Sequence, residues 1–211
     1  MSMHLAPEAA PAAGAGGSTL AVLVLLGAYL LGSFPSAYLM TRLFKGRDIR
    51  SLGSGNVGGM NTARNVGLVP GLLTGLLDLG KGMLAVYLAR RLWPGDPYLP
   101  LWAAVGCVIG HNWMVYIGFK GGKGLGVTIG ALLLLSPTAL IPPVVVAVLA
   151  TMLTKDSYLG TVAGVLTIPI VLWFIHNDAN WLLFGLALAA VIVAKHAGDL
   201  KRFASGKREV L

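Results

Sequence analysis

TLAVLVLLGAYLLGSFPSAYLM, residues 19–40, is a run of 22 residues without a charge. As a helix rising 1.5 Å per residue it is long enough to cross about 30 Å of hydrocarbon. Pro35 lacks the N–H that a helix interior requires, which predicts a kink in the last turns of this span. The flanks differ in kind. Residues 1–18 are rich in Ala, Gly and Pro and carry Glu8 but no Lys or Arg, so they lack the positive start of a secretory signal and are expected to form a disordered extension. Beyond residue 40 comes a polar, glycine-dense segment up to about residue 65.

Six more apolar segments follow, at about residues 66–88, 99–117, 125–135, 138–153, 158–175 and 181–194. The pieces at 125–135 and 138–153 are split by Ser136-Pro137 and are short for full spans, which suits tilted helices or a re-entrant pair. Pro142 and Pro143 fall in a first turn, where proline is tolerated, and Pro169 predicts a second kink. Of the 211 residues, 56% are hydrophobic and 11% charged, with a mean hydropathy of +0.78. Soluble domains carry roughly 25% charged residues, so the composition selects the bilayer. The expected architecture is an all-α polytopic membrane protein of about seven transmembrane helices. Residues 19–197 form its membrane domain and residues 198–211 a basic tail.

Net charge is +8, and its distribution fixes an orientation. Of the 16 basic residues, 13 fall on one face: Arg42, Lys45, Arg47, Arg50, Arg64, Lys120, Lys123, Lys155, Lys195, Lys201, Arg202, Lys207 and Arg208. Arg90 and Arg91 fall on the other, and Lys81 lies within a helix. Cytoplasmic loops collect Lys and Arg, so the amino terminus is expected outside and the carboxyl terminus in the cytoplasm. This also accounts for the basic balance without nucleic acid, for which no aromatic-interleaved basic stretch is present. The single cysteine, Cys107, is a small packing residue inside an apolar run.

Two loops on the basic face carry chemistry. In the first, Gly53, Gly55, Gly58 and Gly59 fall within seven residues, a density that helices and strands both resist. Glycine lets backbone N–H groups approach an anion, and a helix start behind it adds its dipole. Ser54, Asn56 and Asn61 add neutral hydrogen bonds, and Arg64 adds a fork suited to phosphate. Asn61 and Arg64 share a face if a helix has begun there. In the second loop, five glycines between Gly118 and Gly126 surround Lys120 and Lys123. This departs from the Walker pattern, because three residues rather than four precede Gly122 and Gly124 stands where Ser or Thr would hold magnesium. A phosphate cradle of Gly121, Gly122 and Gly124 amides with one or two lysines remains.

Other polar residues are ambiguous. His111, near the membrane face, serves either as an interhelical hydrogen bonder or as a group that takes a proton or orients a hydroxyl. Asp78 and Lys81, three apart, are most simply a mutual ion pair. His196 and Asp199 end the last helix, placed either to face the same cavity or to be solvated. None of the four histidines has an aspartate five positions on, which excludes the His-x4-Asp acyltransferase signature. HExxH, CxxC and GxSxG are absent, and cytoplasmic carboxylates are too few for an obvious two-metal site. Neither metal nor cofactor is expected.

Taken together, GSGNVGGMNTAR (residues 53–64), LDLGKG (77–82) and GHNWMVYIGFKGGKG (110–124) resemble the acyl-phosphate-dependent glycerol-3-phosphate acyltransferases of bacterial membranes. YLLGSFPSAYL (29–39) and KHAGDLKRFASG (195–206) look like that family's two ends. The resemblance implies seven helices with the amino terminus outside, and transfer of a fatty acyl group from acyl phosphate to the 1-hydroxyl of glycerol 3-phosphate. Lysophosphatidic acid and phosphate are the products, in the first step of phospholipid synthesis. It also implies substrate-binding or catalytic roles for Ser54, Asn56, Asn61, Arg64 and Lys123, with His111 and Lys120 nearby, and as a partner the soluble enzyme that makes acyl phosphate. The chain departs from the family pattern at residues 155–159, Lys-Asp-Ser-Tyr-Leu in place of Arg-Tyr-Val-Ser-Leu. At residues 196–200, His-Ala-Gly-Asp-Leu replaces His-Arg-x-Asn-Ile, and Met114 replaces a proline. Asp199 is an unfavourable neighbour for an anion. Two alternatives stand beside this reading. One is a paralogue acting on another phosphorylated alcohol or only binding phospholipid. The other is a small transporter of phosphorylated metabolites, which the almost wholly apolar outer half and the lack of an internal repeat disfavour.

Overall fold

A computed structural model describes residues 15–204 of the chain. Nine α-helices and three short 3-10 turns account for their regular structure. The helices are α1 (Ala15–Gly32), α2 (Ser36–Lys45), α3 (Gly59–Asn65), α4 (Leu68–Leu92), α5 (Leu99–Asn112), α6 (Leu125–Leu135), α7 (Ile141–Thr154), α8 (Ser157–His176) and α9 (Ala179–Ala204). The fold is all-α among the described residues, in keeping with the long charge-free runs. Among the described residues, five segments are long and apolar enough to cross a membrane: Ser18–Lys45, Leu68–Leu92, Pro137–Thr154, Ser157–His176 and Ala179–Asp199. At 14 and 11 residues, α5 and α6 are shorter than the roughly 20 residues a perpendicular crossing takes.

The first apolar run is interrupted rather than kinked. α1 ends at Gly32, and α2 restarts at Ser36 after Pro35, which can neither donate to the preceding turn nor clear its carbonyl. α2 is amphipathic: Ser36, Ala37 and Thr41 are buried, Arg42 and Lys45 fall in its last turn, and Gly46 closes it at φ +66°. α1 begins at Ala15, inside the stretch expected to be a disordered extension, while residues 1–14 and 205–211 of the two terminal segments lie outside the described residues. The third apolar segment is helical to Asn112, and a 3-10 turn at Val115–Ile117 takes over where the expected helix would have continued. Pro169 sits inside α8, with Gly185 of α9 packed on it.

Small residues set the packing. α1 lies against α5, and a Cβ on Gly32 would collide with the Cys107 carbonyl, one on Gly110 with the Tyr29 carbonyl. α4 and α6 meet the same way, Gly82 against the Val127 carbonyl and Gly130 against the Leu79 carbonyl. Two helix pairs thus have backbones in contact, the device by which helices associate when lipid removes the hydrophobic drive between them. α8 packs between α7 and α9, and α5 touches α9 and α4. Cys107 is buried in the main core with Leu101, Leu132, Phe184 and Ile192. Large apolar side chains stay exposed along α4, α7 and α8, Leu76, Leu149 and Phe174 among them. So much contiguous apolar surface is tolerated in hydrocarbon, not in water.

Candidate active site

The two loops singled out by their glycines pack on each other. In the first, Asp48 caps a 3-10 turn by accepting from the Arg50 amide at 2.9 Å, and its carboxylate grips the Arg50 guanidinium at 2.6 Å. That hydrogen-bonded guanidinium holds the Asp48 carboxyl below its ordinary range. Arg50 Nη1 then reaches across to donate to the Ile117 carbonyl at 2.9 Å, strapping the first loop to the second. Gly53 and Gly55 turn the chain at φ +53° and +71°, a region that favours glycine.

Asn61, in α3, organises this turn. Its amide nitrogen donates to the carbonyls of Leu52 at 3.1 Å and Asn56 at 2.9 Å. Its oxygen accepts from the Ser54 amide at 3.3 Å and from Asn65 Nδ2 at 2.9 Å. Two donors and two acceptor positions are all taken, the full capacity of the side chain. Asn61, expected to bind substrate, lines the cavity and also shapes the loop. Arg64, one helical turn on, is exposed and lines the cavity.

The second loop is built by burial. Met114 is fully buried and its carbonyl accepts from the Phe119 amide at 2.8 Å. Gly121 is pressed against the carbonyls of His111 and Asn112, and Gly122 against the His111 ring and the Val57 carbonyl. The Gly122 amide donates to the His111 carbonyl at 3.0 Å, so it is spent on the loop. Gly124, at φ +82°, starts α6, whose first residues Leu125 and Gly126 line the cavity beside Lys123.

That cavity has a volume of about 620 Å³. Its wall brings together Gly53, Ser54, Asn56, Asn61 and Arg64 of the first loop and α3, Lys123 and Gly124 of the second loop, and His111 and His196. Loops that lie some 60 residues apart therefore line one cavity. Besides Asp199, four expected members are absent from this lining: Lys120 is exposed, Gly121 and Gly122 are packed against the end of α5, and Gly55 shapes the turn.

The floor is polar. Asp78 Oδ1 accepts from Ser36 Oγ at 2.8 Å, pairs with Lys81 Nζ at 3.0 Å and lies 3.5 Å from His111 Nδ1. The Asp78–Lys81 ion pair is present as expected, and Lys81 also donates to the Phe34 carbonyl at 3.1 Å, in the break between α1 and α2. Asp78 and His111 reach the cavity. His111 presents Nδ1 to Asp78 and Nε2 toward Gly122. His196 is buried with Nδ1 2.8 Å from the Ile192 carbonyl; a carbonyl only accepts, so Nδ1 carries the proton and Nε2 can accept one.

Ser157 and Tyr158, within the segment that departs from the family pattern, and Thr161, which the sequence did not single out, line the cavity from the first turns of α8. Asp156 caps that helix, accepting from the Tyr158 and Leu159 amides at 2.9 and 3.0 Å. An Asp followed by an apolar run was the available signal for a helix start. Tyr158 stands edge-on to His196 with ring centroids 6.4 Å apart. Asp199, read from the sequence as facing either this cavity or solvent, grips Lys123, with 2.6 Å between Oδ2 and Nζ.

A family model described as glycerol-3-phosphate acyltransferase matches residues 22–206. A relative from Moorella thermoacetica named glycerol-3-phosphate acyltransferase 2 is 37% identical over 190 residues, covering 90% of this chain and 97% of the relative. A glycerol-3-phosphate acyltransferase 1 from Dehalococcoides mccartyi is 39% identical over 183 residues, covering 84% and 88%. Among solved structures, the glycerol 3-phosphate form of PlsY, an integral membrane glycerol 3-phosphate acyltransferase, superposes with a TM-score of 0.81 at 28% identity, over 90% of this chain and 95% of that one. With five segments among the described residues long and apolar enough to cross a membrane, and the two glycine loops lining one cavity, the chain is an integral membrane acyltransferase that belongs to the glycerol-3-phosphate acyltransferase family.

Proposed function

We propose that this protein transfers a fatty acyl group from acyl phosphate to the 1-hydroxyl of glycerol 3-phosphate, at the cytoplasmic face of a bacterial inner membrane. The observation that carries the proposal is the convergence of Arg64, Lys123 and the amino-terminal end of α6 on one cavity. Two cationic side chains and a helix start suit two phosphates. Lys123 and the α6 end take the phosphate of the donor; Arg64, with Ser54 and Asn56, takes glycerol 3-phosphate. The acyl chain lies between helices and is reached from the bilayer. The solved PlsY relatives, in glycerol 3-phosphate and lysophosphatidic acid forms, support this choice of acceptor and product. The basic loops around the site favour its cytoplasmic placement.

The chemistry asks little beyond positioning. The hydroxyl oxygen attacks the acyl carbonyl, the carbon–oxygen bond to phosphate breaks, and inorganic phosphate leaves as a stable anion. No covalent enzyme intermediate is needed. His111, or His196 through Nε2, accepts the hydroxyl proton, both residues lining the cavity. Holding both reactants in attack geometry is worth up to about 7–11 kcal/mol of barrier, and cations beside the phosphates stabilise the charge that develops. The test is the purified protein in lipid nanodiscs, supplied with palmitoyl phosphate and glycerol 3-phosphate. Phosphate release matched by lysophosphatidic acid in the mass spectrum is expected; turnover with palmitoyl-CoA but not with palmitoyl phosphate would overturn the donor assignment.

A further inference from the structure

Lys123, to which the donor phosphate is assigned above, already has an anion. Its ammonium lies 2.6 Å from Asp199 Oδ2 and 3.8 Å from the centroid of the Tyr158 ring. The two side chains are only 17% and 14% exposed, so water screens the pair weakly. Lys195, one turn earlier on α9, does not compensate Asp199. It donates to the Asn112 carbonyl at 2.5 Å and stands over the Trp113 ring, serving the end of α5. Asp199 therefore spends its charge on Lys123.

A phosphate approaching Lys123 meets a site whose cation is occupied by an oxyanion of the same sign as itself. Asp199 offers the ammonium what a phosphate oxygen offers, a negative oxygen at hydrogen-bonding distance. Lysine is a point charge on a flexible stem with three donors, and the Tyr158 face supports it between partners. We propose that Asp199 is a built-in competitor for substrate phosphate. Its carboxylate holds Lys123 until a phosphate-bearing ligand displaces it, and it thereby sets the affinity for the donor. The inference rests on the proposed function only in taking a phosphate-bearing ligand as the occupant. A lysine held this way nine-tenths of the time weakens apparent phosphate affinity about tenfold.

The experiment titrates inorganic phosphate into the full chain in nanodiscs by calorimetry, comparing wild type with Asp199→Asn, Lys123→Met and the double variant. Asp199→Asn is expected to bind phosphate about tenfold more tightly, and the gain to vanish in the Lys123→Met background. Unchanged or weaker binding by Asp199→Asn overturns the proposal. So does a gain that persists without Lys123, which marks simple repulsion. Asp199→Ser repeats the comparison should the asparagine variant fail to fold, and Asp199→Glu, which keeps the carboxylate, should bind phosphate as wild type does. In turnover, Asp199→Asn should lower KM for acyl phosphate and leave KM for glycerol 3-phosphate unchanged. A wild type that shows no transfer would sink the proposed function, while the phosphate titration still decides the role of Asp199.

Discussion

The two glycine loops reach one cavity by opposite means. The first is tied by side chains: Asp48 to Arg50, and Asn61 to four loop partners. The second has few such ties and is held by the burial of Met114 and by glycines pressed onto the end of α5. A loop tied by hydrogen bonds is weakened by removing atoms, whereas a loop held by close packing is broken by adding them. Their cations differ too, Arg64 exposed and Lys123 more than four-fifths buried between an aspartate and a tyrosine.

Experiments that break this contrast rank by effect. Lys123→Ala should lower kcat by about 10³ or more, the loss expected when a principal electrostatic contact to the reacting group goes, with little change in Tm. Retained turnover refutes the donor-phosphate assignment. Gly122→Ala should cost about 2–3 kcal/mol of stability, read as a lower Tm in detergent, because its Cβ enters the His111 ring and the Val57 carbonyl. Asn61→Ala, by contrast, removes atoms. It should cost about 2 kcal/mol and raise KM for glycerol 3-phosphate, since Ser54 and Asn56 lose their frame. Arg64→Lys keeps the charge but not the fork and should raise the same KM about tenfold with kcat nearly unchanged.

The smallest effect is in the Asp48–Arg50 pair. Its folded carboxyl titrates below the ordinary value of 3.8, so the stabilisation is present above that value and is lost as pH falls through the lower, folded one. A partly exposed pair of this kind contributes at most about 1 kcal/mol. The Tm difference between wild type and Asp48→Asn should therefore be constant from pH 5 to 7 and shrink below about pH 4. A difference that grows on acidification reverses the sign of the argument.

Much of this contrast was legible in the chain. Charge-free runs fixed the helices, and glycine density beside Arg64 and Lys123 pointed to the two loops. Side-chain partners were not legible where tertiary packing chooses them. The hydrogen bonds of Asn61 were not legible, because its helical spacing to Arg64 says which face it shares, not that the loop upstream folds back onto it. Lys120 and Lys123 looked equivalent, yet one turn of backbone sends the first to solvent and the second under α8 and α9. That Tyr158, Ser157 and Thr161 line the cavity was not legible, because α8 is positioned by packing between α7 and α9. The break after Gly32 was read as a bend, since a proline alone does not say whether the helix resumes along the same axis.

The strap from Arg50 to the Ile117 carbonyl gives the two loops a common fate. If the proposed donor and acceptor each steady one loop, the strap predicts that each favours the other's binding by the same factor. Arg50→Lys, which removes one tie between loops that Gly122 and Val57 also join, should then reduce that coupling.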